Sequence, residues 1–322
     1  MKCSKGWVWL ACAAMMFSAA ASAASWPTRP VTMVVPYPAG GATDVVARAL
    51  SEQLTKKWGQ TVVVENRAGA GTTIGAASVA RAAPDGQTLF MTTSAHTISS
   101  YLYKDLSYNP ATDFAPITLV VKVPLVLVVN PEVPAKDLQS FLAYIKKGGA
   151  AVNFASPGNG TAQHLSGELF KIATQSGIVH VPYRGDAPAI TDLMGGQVQM
   201  MLATITAVLP MIESGKLRAL AVANDKRVTA LADVPTFTEA GMPGFQAATW
   251  FGLLAPAATD PARIAQIHGD VAAIVDTPEM RKRLESLGGE VMNSTPQAFA
   301  EFMKEENKRW GAAAKASGTI AQ

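Results

Sequence analysis

The stretch VTMVVPYPAGGATDVVARAL, residues 31–50, gives the clearest structural signal in this 322-residue chain. Val31–Val35 is a short apolar run typical of a buried strand, and a Pro/Gly turn follows it. Apolar residues then recur four positions apart at Val46, Leu50 and Leu54, which is the spacing of an amphipathic helix. The order predicts a strand, a loop and a helix whose first backbone amides could bind an anion.

Similar apolar runs and helical patterns alternate along the whole chain. The predicted strands are residues 31–35, 61–65, 88–91, 125–129, 151–155, 178–181, 198–202 and 217–222. This alternation favours parallel α/β layers, and the length favours two lobes. The apolar segments Ile117–Val129 and Ala247–Leu254 are candidates for crossing between the lobes. We therefore expect lobe 1 to comprise residues 24–124 and 247–322, and lobe 2 to comprise residues 125–246.

Residues 1–23 have the pattern of a cleaved export signal, with a basic start, an apolar middle and the small-residue end Ala21-Ser22-Ala23. The 27 basic and 24 acidic residues give a net charge of +3, and removal of Lys2 and Lys5 would leave +1. That charge does not favour nucleic acid or an anionic membrane as a partner. Both cysteines, Cys3 and Cys12, would be removed too, so the mature chain would have no disulfide and no thiol-based metal site.

The longest apolar stretch after the signal, Val120–Val129, is interrupted by a lysine and a proline and is too short to cross a bilayer. We therefore predict an exported, periplasmic protein whose mature chain does not insert into the membrane.

Three loops between a predicted strand and a predicted helix are rich in glycine: Pro36–Thr43, Ser156–Thr161 and Pro182–Asp186. Ligands of α/β sheets bind at the carboxyl ends of the strands, where these loops lie, so together they predict a binding cleft. Tight turns explain the glycines of any single loop equally well. Thr43 and Thr161 could cap the helices that follow, or their hydroxyls could face a ligand.

The first loop is the expected grip on an acidic solute. A side chain at Gly40 or Gly41 would block the backbone amides there, so valine at either position should abolish binding. Asp44, in the first helical turn, is expected to offset the helix dipole rather than to contact the solute. Tyr37 and Tyr183 could form an aromatic wall of the cleft or belong to the core.

The sequence offers no catalytic or metal-binding motif, and the four histidines are scattered. Ser94 and His96 are a conceivable nucleophile and base, but residues two apart would need a loop to touch. His164 is expected to pack in or near the first turn of its helix. The glycine-rich segment Asn66–Gly75 lacks the spacing of a dinucleotide fingerprint and is expected to line the cleft or pack beneath it. We predict that the protein is not an enzyme and has no cofactor and no metal site.

A set of short motifs runs through nearly the whole mature chain: Trp26–Pro30, Val35–Asp44, Glu65–Gly71, Asn153–Thr161, Val181–Gly185, Met194–Val198, Gly215–Val222 and Asp233–Thr236. Together they resemble the motifs of the Bug-type extracytoplasmic solute-binding proteins that serve tripartite tricarboxylate transporters. The motifs are specific as a set, and no single one would suffice. In and after the third motif, Ala68 and Thr72 stand where the family has proline and glycine.

The resemblance implies an α/β, two-lobed periplasmic binding protein type II fold that closes on a ligand in the cleft between its lobes. It implies that backbone amides and ordered waters at Pro38–Thr43 hold one carboxylate of the solute, and that Ser156–Thr161 and Tyr183–Asp186 hold the rest. Arg184 could pair with a second carboxylate or be solvated beside the cleft. Thr93, Ser94 and His96 could give the pocket a polarity of its own, because this chain departs from many relatives after His96.

The implied function is the capture of a small carboxylate, either a di- or tricarboxylic acid or an aromatic acid, by a monomer that delivers it to the permease subunits of a tripartite tricarboxylate transporter. An alternative is a ligand-dependent sensory partner of a membrane receptor, and a third reading is an exported hydrolase that uses Ser94 and His96. The predicted ligand-binding residues are Tyr37, Pro38, Ala39, Gly40, Gly41, Thr43, Ser94, His96, Ser156, Gly158, Gly160, Thr161, Tyr183, Arg184, Gly185, Asp186 and Thr204.

Overall fold

One long strand, Phe114–Val129, runs through both lobes of the molecule. The computed structural model describes residues 26–146 and 152–319, so the predicted signal, residues 1–23, lies outside the described part. The strands are β1 (Val31–Val35), β2 (Val62–Asn66), β3 (Thr88–Thr93), β4 (Phe114–Val129), β5 (Asn153–Ser156), β6 (Val179–Pro182), β7 (Met200–Thr204), β8 (Arg218–Val222), β9 (Ala248–Pro256) and β10 (Glu290–Val291).

Helices lie between most of these strands, as the alternation predicts. They are α1 (Ala42–Trp58), α2 (Thr73–Ala80), α3 (Ser94–Leu102), α4 (Leu138–Lys146), α5 (Ala162–Thr174), α6 (Asp186–Met194), α7 (Ile205–Glu213), α8 (Pro261–Val275), α9 (Pro278–Ser286) and α10 (Pro296–Ala316). Short 3₁₀ turns occur at Ala70–Thr72 and Thr229–Leu231. No helix within residues 26–146 and 152–319 is long and apolar enough to cross a membrane.

The strand order is β2-β1-β3-β9-β4-β7-β5-β6, and β8 and β10 also pair with β4. Strand β1 is parallel to β2 and β3 in the first lobe, and β5 is parallel to β6 and β7 in the second. Strand β4 pairs with β9 up to Pro124, with β7 from Leu125 onward and with β8 from Val126 onward. The Leu125 amide also donates to the Ala247 carbonyl at 2.9 Å, so the two chain segments that cross between the lobes lie side by side. We propose that the boundaries between the lobes lie in these two segments.

Helix α1 forms because its sequence provides a buried apolar face and a C-terminal cap. Val46, Leu50 and Leu54 are buried against the sheet, as their spacing predicts. The helix ends at Gly59, whose φ of 63° is the left-handed conformation that glycine adopts at little steric cost. Helices α8, α9 and α10 each begin with a capping side chain followed directly by proline, which suits the first helical position.

The C-terminal helix α10 packs against both lobes. Trp310 is buried in a cluster with Ile98 of α3 and Leu165 of α5. Its indole nitrogen donates to Glu306 at 2.8 Å, and the same carboxylate oxygen accepts from Trp250 at 3.0 Å. Because α3 belongs to the first lobe and α5 to the second, this cluster helps to hold the two lobes together on one side of the cleft.

Candidate functional site: the cleft between the lobes

The loop between β1 and α1 begins the site. Gly41 is the N-cap of α1 and has an extended backbone, and it offers no side chain to accept from the first helical amides. The Gly40 amide turns back and donates to Asp44 at 3.0 Å. The Ala42 amide instead reaches across the cleft and donates to Asp186 of the second lobe at 3.2 Å. Thr43 does not cap the helix, because the cap lies two residues earlier, and it lines the cleft from the first turn.

Asp44 holds this loop in place. Its carboxylate accepts from Arg48 Nε at 2.8 Å, from Asn66 Nδ2 at 3.0 Å and from the Gly40 amide. Burial opposes the ionisation of Asp44, but these hydrogen bonds outweigh it and keep the pKa of the carboxyl below its ordinary value. Asn66 also donates to the Tyr37 carbonyl at 2.9 Å. The loop therefore has a fixed shape before any solute arrives.

The corresponding loop of the second lobe, between β5 and α5, is closed by its own atoms. Thr161 caps α5 and accepts from the His164 amide at 3.2 Å, as its position predicts. The amides of Gly158 and Gly160 donate to Ser156 Oγ and His164 Nδ1, each at 3.2 Å. These amides are consequently used within the loop and not offered to the cleft.

Two stacked histidines support that second loop from behind. The rings of His164 and His180 lie 4.0 Å apart between centroids and are tilted by 18°. His180 Nε2 is 2.7 Å from Ser156 Oγ. Burial lowers the pKa of His164 to about 4 and that of His180 to about 3, so both rings are neutral at pH 7. As expected, His164 packs in the first turn of α5.

Three glycines lie where loops of the two lobes are in contact. A Cβ atom on Gly41 would lie 2.9 Å from Asp186 Oδ2, and one on Gly185 would lie 2.7 Å from Pro38 Cδ. A Cβ on Gly71 would lie 2.7 Å from the Asn159 carbonyl. Real Cβ atoms do not approach other heavy atoms this closely, so these glycines permit the loops of the two lobes to meet. Their role is more than the formation of tight turns.

The closed cleft contains two spaces. The inner cavity measures about 10 Å³, roughly the room that one water molecule needs. The outer cavity measures about 220 Å³ and opens to solvent. The inner one is lined by Tyr37, Ala42, Thr43, Thr93, Pro157, Gln163, Asp186, Thr204, Thr249 and Phe251. The outer one is lined by Pro36, Tyr37, Pro38, Ala68, Gly69, Ala70, Gly71, Thr72, Tyr103, Pro157, Gly158, Asn159, Pro182, Tyr183 and Arg184.

Tyr37 and Pro157 face both cavities and form the partition between them. Tyr37 Oη is 3.3 Å from Thr93 Oγ1, and burial raises the pKa of this phenol above its ordinary value. Tyr183 donates to Asp192 at 2.8 Å, and burial together with that contact raises its pKa to about 12. Both tyrosines are therefore neutral groups in the cleft, and the single hydroxyl proton of Tyr183 is already donated to Asp192.

Asp186 is the only ionisable carboxylate among the described residues that line either cavity. Its side chain is buried, and burial raises its pKa to about 6, against the opposing effect of the hydrogen bond from Ala42. No described lysine, arginine or histidine lines the inner cavity with it.

The structure brings only some of the predicted site residues to the cleft. Those that line a cavity are Tyr37, Pro38, Thr43, Gly158, Tyr183, Arg184, Asp186 and Thr204. Gly41 and Gly185 lie at the seam where the lobes meet. Ala39 and Gly40 are exposed, and Ser156, Gly160 and Thr161 are buried within the second loop. A Cβ on Gly40 would meet open space, so the expected block by a side chain there applies to Gly41 alone.

Of the three residues expected to give the pocket its polarity, Thr93 lines the inner cavity, but Ser94 and His96 line neither cavity of the cleft. Ser94 Oγ lies 3.0 Å from Thr249 Oγ1, beneath the inner cavity. His96 lies in an aromatic cluster with Phe90 and Phe114, and its Nε2 is 3.0 Å from the Pro110 carbonyl. Ser94 begins α3, so the backbone turns away there and carries His96 to the far side of the helix.

Several lining residues were not predicted from the sequence. Gln163 donates to Thr204 at 2.8 Å and lies two residues after the recognised cap Thr161. Thr249 and Phe251 lie on β9, which was recognised only as a crossing strand. The segment Gly69–Thr72 does line the outer cavity, and its non-glycine residues Ala70 and Thr72 have φ values of 43° and 85°, a strained backbone often found at functional sites.

Comparison with known proteins identifies the family. Residues 46–319 match the family described as tripartite tricarboxylate transporter family receptor. The chain belongs to this family. It is 37% identical to Protein BugT of Bordetella pertussis over 303 residues, which cover 94% of this chain and 93% of that protein. The predicted family membership is therefore confirmed.

Solved structures of similar proteins share the fold of this receptor. The periplasmic binding protein BugD matches with a TM-score of 0.88 and 38% identity, covering 92% of this chain and all of that one. Rpa4515 of R. palustris, solved with adipate, matches with a TM-score of 0.90 and 34% identity over 92% of this chain and 100% of its own. The predicted two-lobed periplasmic binding fold is confirmed. Such solute-binding proteins are generally not enzymes.

Proposed function

We propose that this receptor captures a small carboxylate in the cleft between its lobes and delivers it to the membrane subunits of a tripartite tricarboxylate transporter. The observation that carries the proposal is the outer cavity of the cleft, where Arg184 is the one basic side chain among the described lining residues. A guanidinium binds a carboxylate through paired hydrogen bonds. The Ala42 amide at the N-terminus of α1 is already paired with Asp186 across the cleft and can couple the site to closure of the lobes. The adipate bound by Rpa4515 supports the solute class.

The residues that we propose for solute contact come from both lobes. From the first lobe they are Tyr37, Pro38, Gly41, Thr43, Thr93 and Thr249, and from the second lobe they are Gly158, Gln163, Tyr183, Arg184, Asp186 and Thr204. The inner cavity is too small for a six-carbon diacid, so the lobes must separate to admit the solute and then settle around it.

Calorimetry tests this proposal. The protein is unfolded and refolded to remove any retained solute, shown to be folded, and titrated with mono-, di- and tricarboxylates, aromatic acids and amino acids. We expect one-to-one binding of at least one of them. Absence of binding across the whole panel would contradict the proposal, and mass spectrometry of the protein as purified would identify a solute that co-purifies with it.

Export and delivery need separate tests. We propose that the signal is cleaved after Ala23 and that the mature receptor is a periplasmic monomer. N-terminal sequencing of periplasmic protein should begin at Ala24, and light scattering should give the mass of one chain. Cross-linking in membranes should capture the permease subunits in the presence of solute. Capture of a sensor kinase without a permease would favour the sensory alternative.

A further inference from the structure

Only one of the two carboxylate oxygens of Asp186 has a hydrogen-bond partner among the described residues. It is the first residue of α6, and its Oδ2 accepts from the Ala42 amide across the cleft at 3.2 Å. Its Oδ1 is buried and has no hydrogen-bond partner among the described residues. The residue is only 7% exposed. A buried carboxylate oxygen without a donor is costly, so this position calls for a donor that the protein itself does not supply.

The surroundings of Asp186 define what that donor can be. The other polar groups that line the inner cavity are the hydroxyls of Tyr37, Thr43, Thr93, Thr204 and Thr249 and the amide of Gln163. All of these are neutral. The N-termini of α1 and of α6, whose first residue is Asp186, each contribute a partial positive charge of about half a unit. No described side chain of the inner cavity carries a positive charge, and Oδ1 still has no donor among the described residues. A compact cation that donates several hydrogen bonds would supply that donor and a full positive charge.

A primary ammonium group meets these requirements. It is about the size of a water molecule, which is the room that the inner cavity provides. It has three donors, and the hydroxyls around the cavity can act as acceptors. A second carboxylate in the same place would face Asp186 as a like charge and would have to bring a proton with it.

We propose that the solute of this receptor is a carboxylate that also carries a primary ammonium group, and that Asp186 selects for the ammonium. This inference rests on the proposed function and narrows its solute class. The ammonium occupies the inner cavity on Asp186 Oδ1. The carboxylate lies in the outer cavity, which Arg184 lines. Because Tyr37 and Pro157 border both cavities, a solute of a few carbons can reach from one to the other.

Solutes of the same chain length, with and without an amino group, test whether the receptor selects for the ammonium. Succinate, glutarate and adipate are each compared with the α-amino derivative and with the ω-amino acid of the same chain length, by calorimetry on the folded, solute-free protein. We expect the best amino-bearing solute to bind at least tenfold more tightly than the best plain dicarboxylate. Preference for a plain dicarboxylate would overturn this inference and leave the proposed function intact. Absence of binding by all of these solutes would also overturn this inference, whereas the proposed function fails only if the wider panel of carboxylates described above gives no binding either.

Substitution of Asp186 tests the residue itself. Asp186→Asn keeps an oxygen that can accept from Ala42 and removes the charge. We expect it to weaken binding of the best amino-bearing solute at least tenfold and to affect plain dicarboxylates much less. Asp233→Asn makes the same change on the exposed surface of the second lobe and should leave both affinities as they are. An unchanged ratio of the two affinities in Asp186→Asn would overturn the assignment. The wild-type preference tests the solute class even where a variant folds poorly.

Discussion

The two lobes present the same local design, a strand, a glycine-rich loop and a helix, yet the two helix N-termini are finished differently. Helix α5 is capped by its own Thr161, and the amides of its loop are used within the second lobe. Helix α1 has a bare cap at Gly41, and its Ala42 amide is paired only across the cleft, with Asp186. A helix N-terminus whose amides are hydrogen-bonded within its own lobe stabilises that lobe. A helix N-terminus whose amide is hydrogen-bonded to the opposite lobe can couple closure of the lobes to binding of the solute.

Among the substitutions that test this difference between the two helix ends, a change at Gly41 should have the largest effect on solute affinity. Gly41→Val places a Cβ atom 2.9 Å from Asp186 Oδ2, which is too close for a normal contact, at a position whose φ of −82° imposes no backbone strain of its own. We expect affinity for the solute to fall at least a hundredfold, or about 2.8 kcal/mol, with the fold retained.

Gly40→Ala is the control for that substitution. Its φ of 86° predicts a loss of folding stability of about 1 kcal/mol, but its Cβ meets open space and affinity should stay within threefold of the wild type. Calorimetry and thermal unfolding measure both properties. Equal losses of affinity at the two glycines would show that the loop acts through its conformation and not through the contact with Asp186.

Acid should weaken the second lobe through its histidine pair. The pKa of His164 is lowered to about 4 and that of His180 to about 3, so between pH 6.5 and 4 the unfolded chain binds more protons than the folded one. The free energy of unfolding therefore falls as the pH drops, by about 2 kcal/mol per histidine at pH 5. The lowered pKa of buried His96 also makes the free energy of unfolding fall as the pH drops. The raised pKa of Asp186 has the opposite effect, because protonation of this carboxyl below pH 6 stabilises the folded protein.

Urea unfolding at pH 7 and pH 5 measures this loss. His164→Asn keeps an acceptor for the Gly160 amide and cannot titrate, so the variant should lose roughly 2 kcal/mol less than the wild type between the two pH values. The same pH dependence in wild type and variant would mean that His164 is not the group that takes up the proton.

Removal of the α5 cap should have the smallest effect. Thr161→Ala loses the acceptor for the His164 amide and should lower the free energy of unfolding by about 1 kcal/mol, while Thr161→Ser should restore it. Solute affinity should change less than threefold in both variants. A tenfold loss of affinity in Thr161→Ala, measured by calorimetry on folded protein, would place solute contacts at α5 as well and remove the contrast between the two ends.

The parts of the structure that depend on neighbouring residues were predictable. Strand β1 has the predicted bounds, α1 buries the predicted stripe, and Thr161 caps α5, because each follows from residues a few positions apart. The contact between Ala42 and Asp186 joins residues 144 positions apart. Nor could spacing show that Thr249 and Gln163 line the same cavity, since β9 and α5 belong to different lobes. His96 was misplaced because α3 begins two residues before it.

A crystal structure of the receptor with its bound solute tests the contrast between the two helix ends most directly. The account predicts a solute between the lobes, beside the partition formed by Tyr37 and Pro157, with a polar atom within hydrogen-bonding distance of Asp186 or the Ala42 amide. It also predicts that Thr161 still caps α5. A solute anion on the amides of Ser156–Thr161 with that cap displaced, or a solute bound outside the cleft, would contradict it.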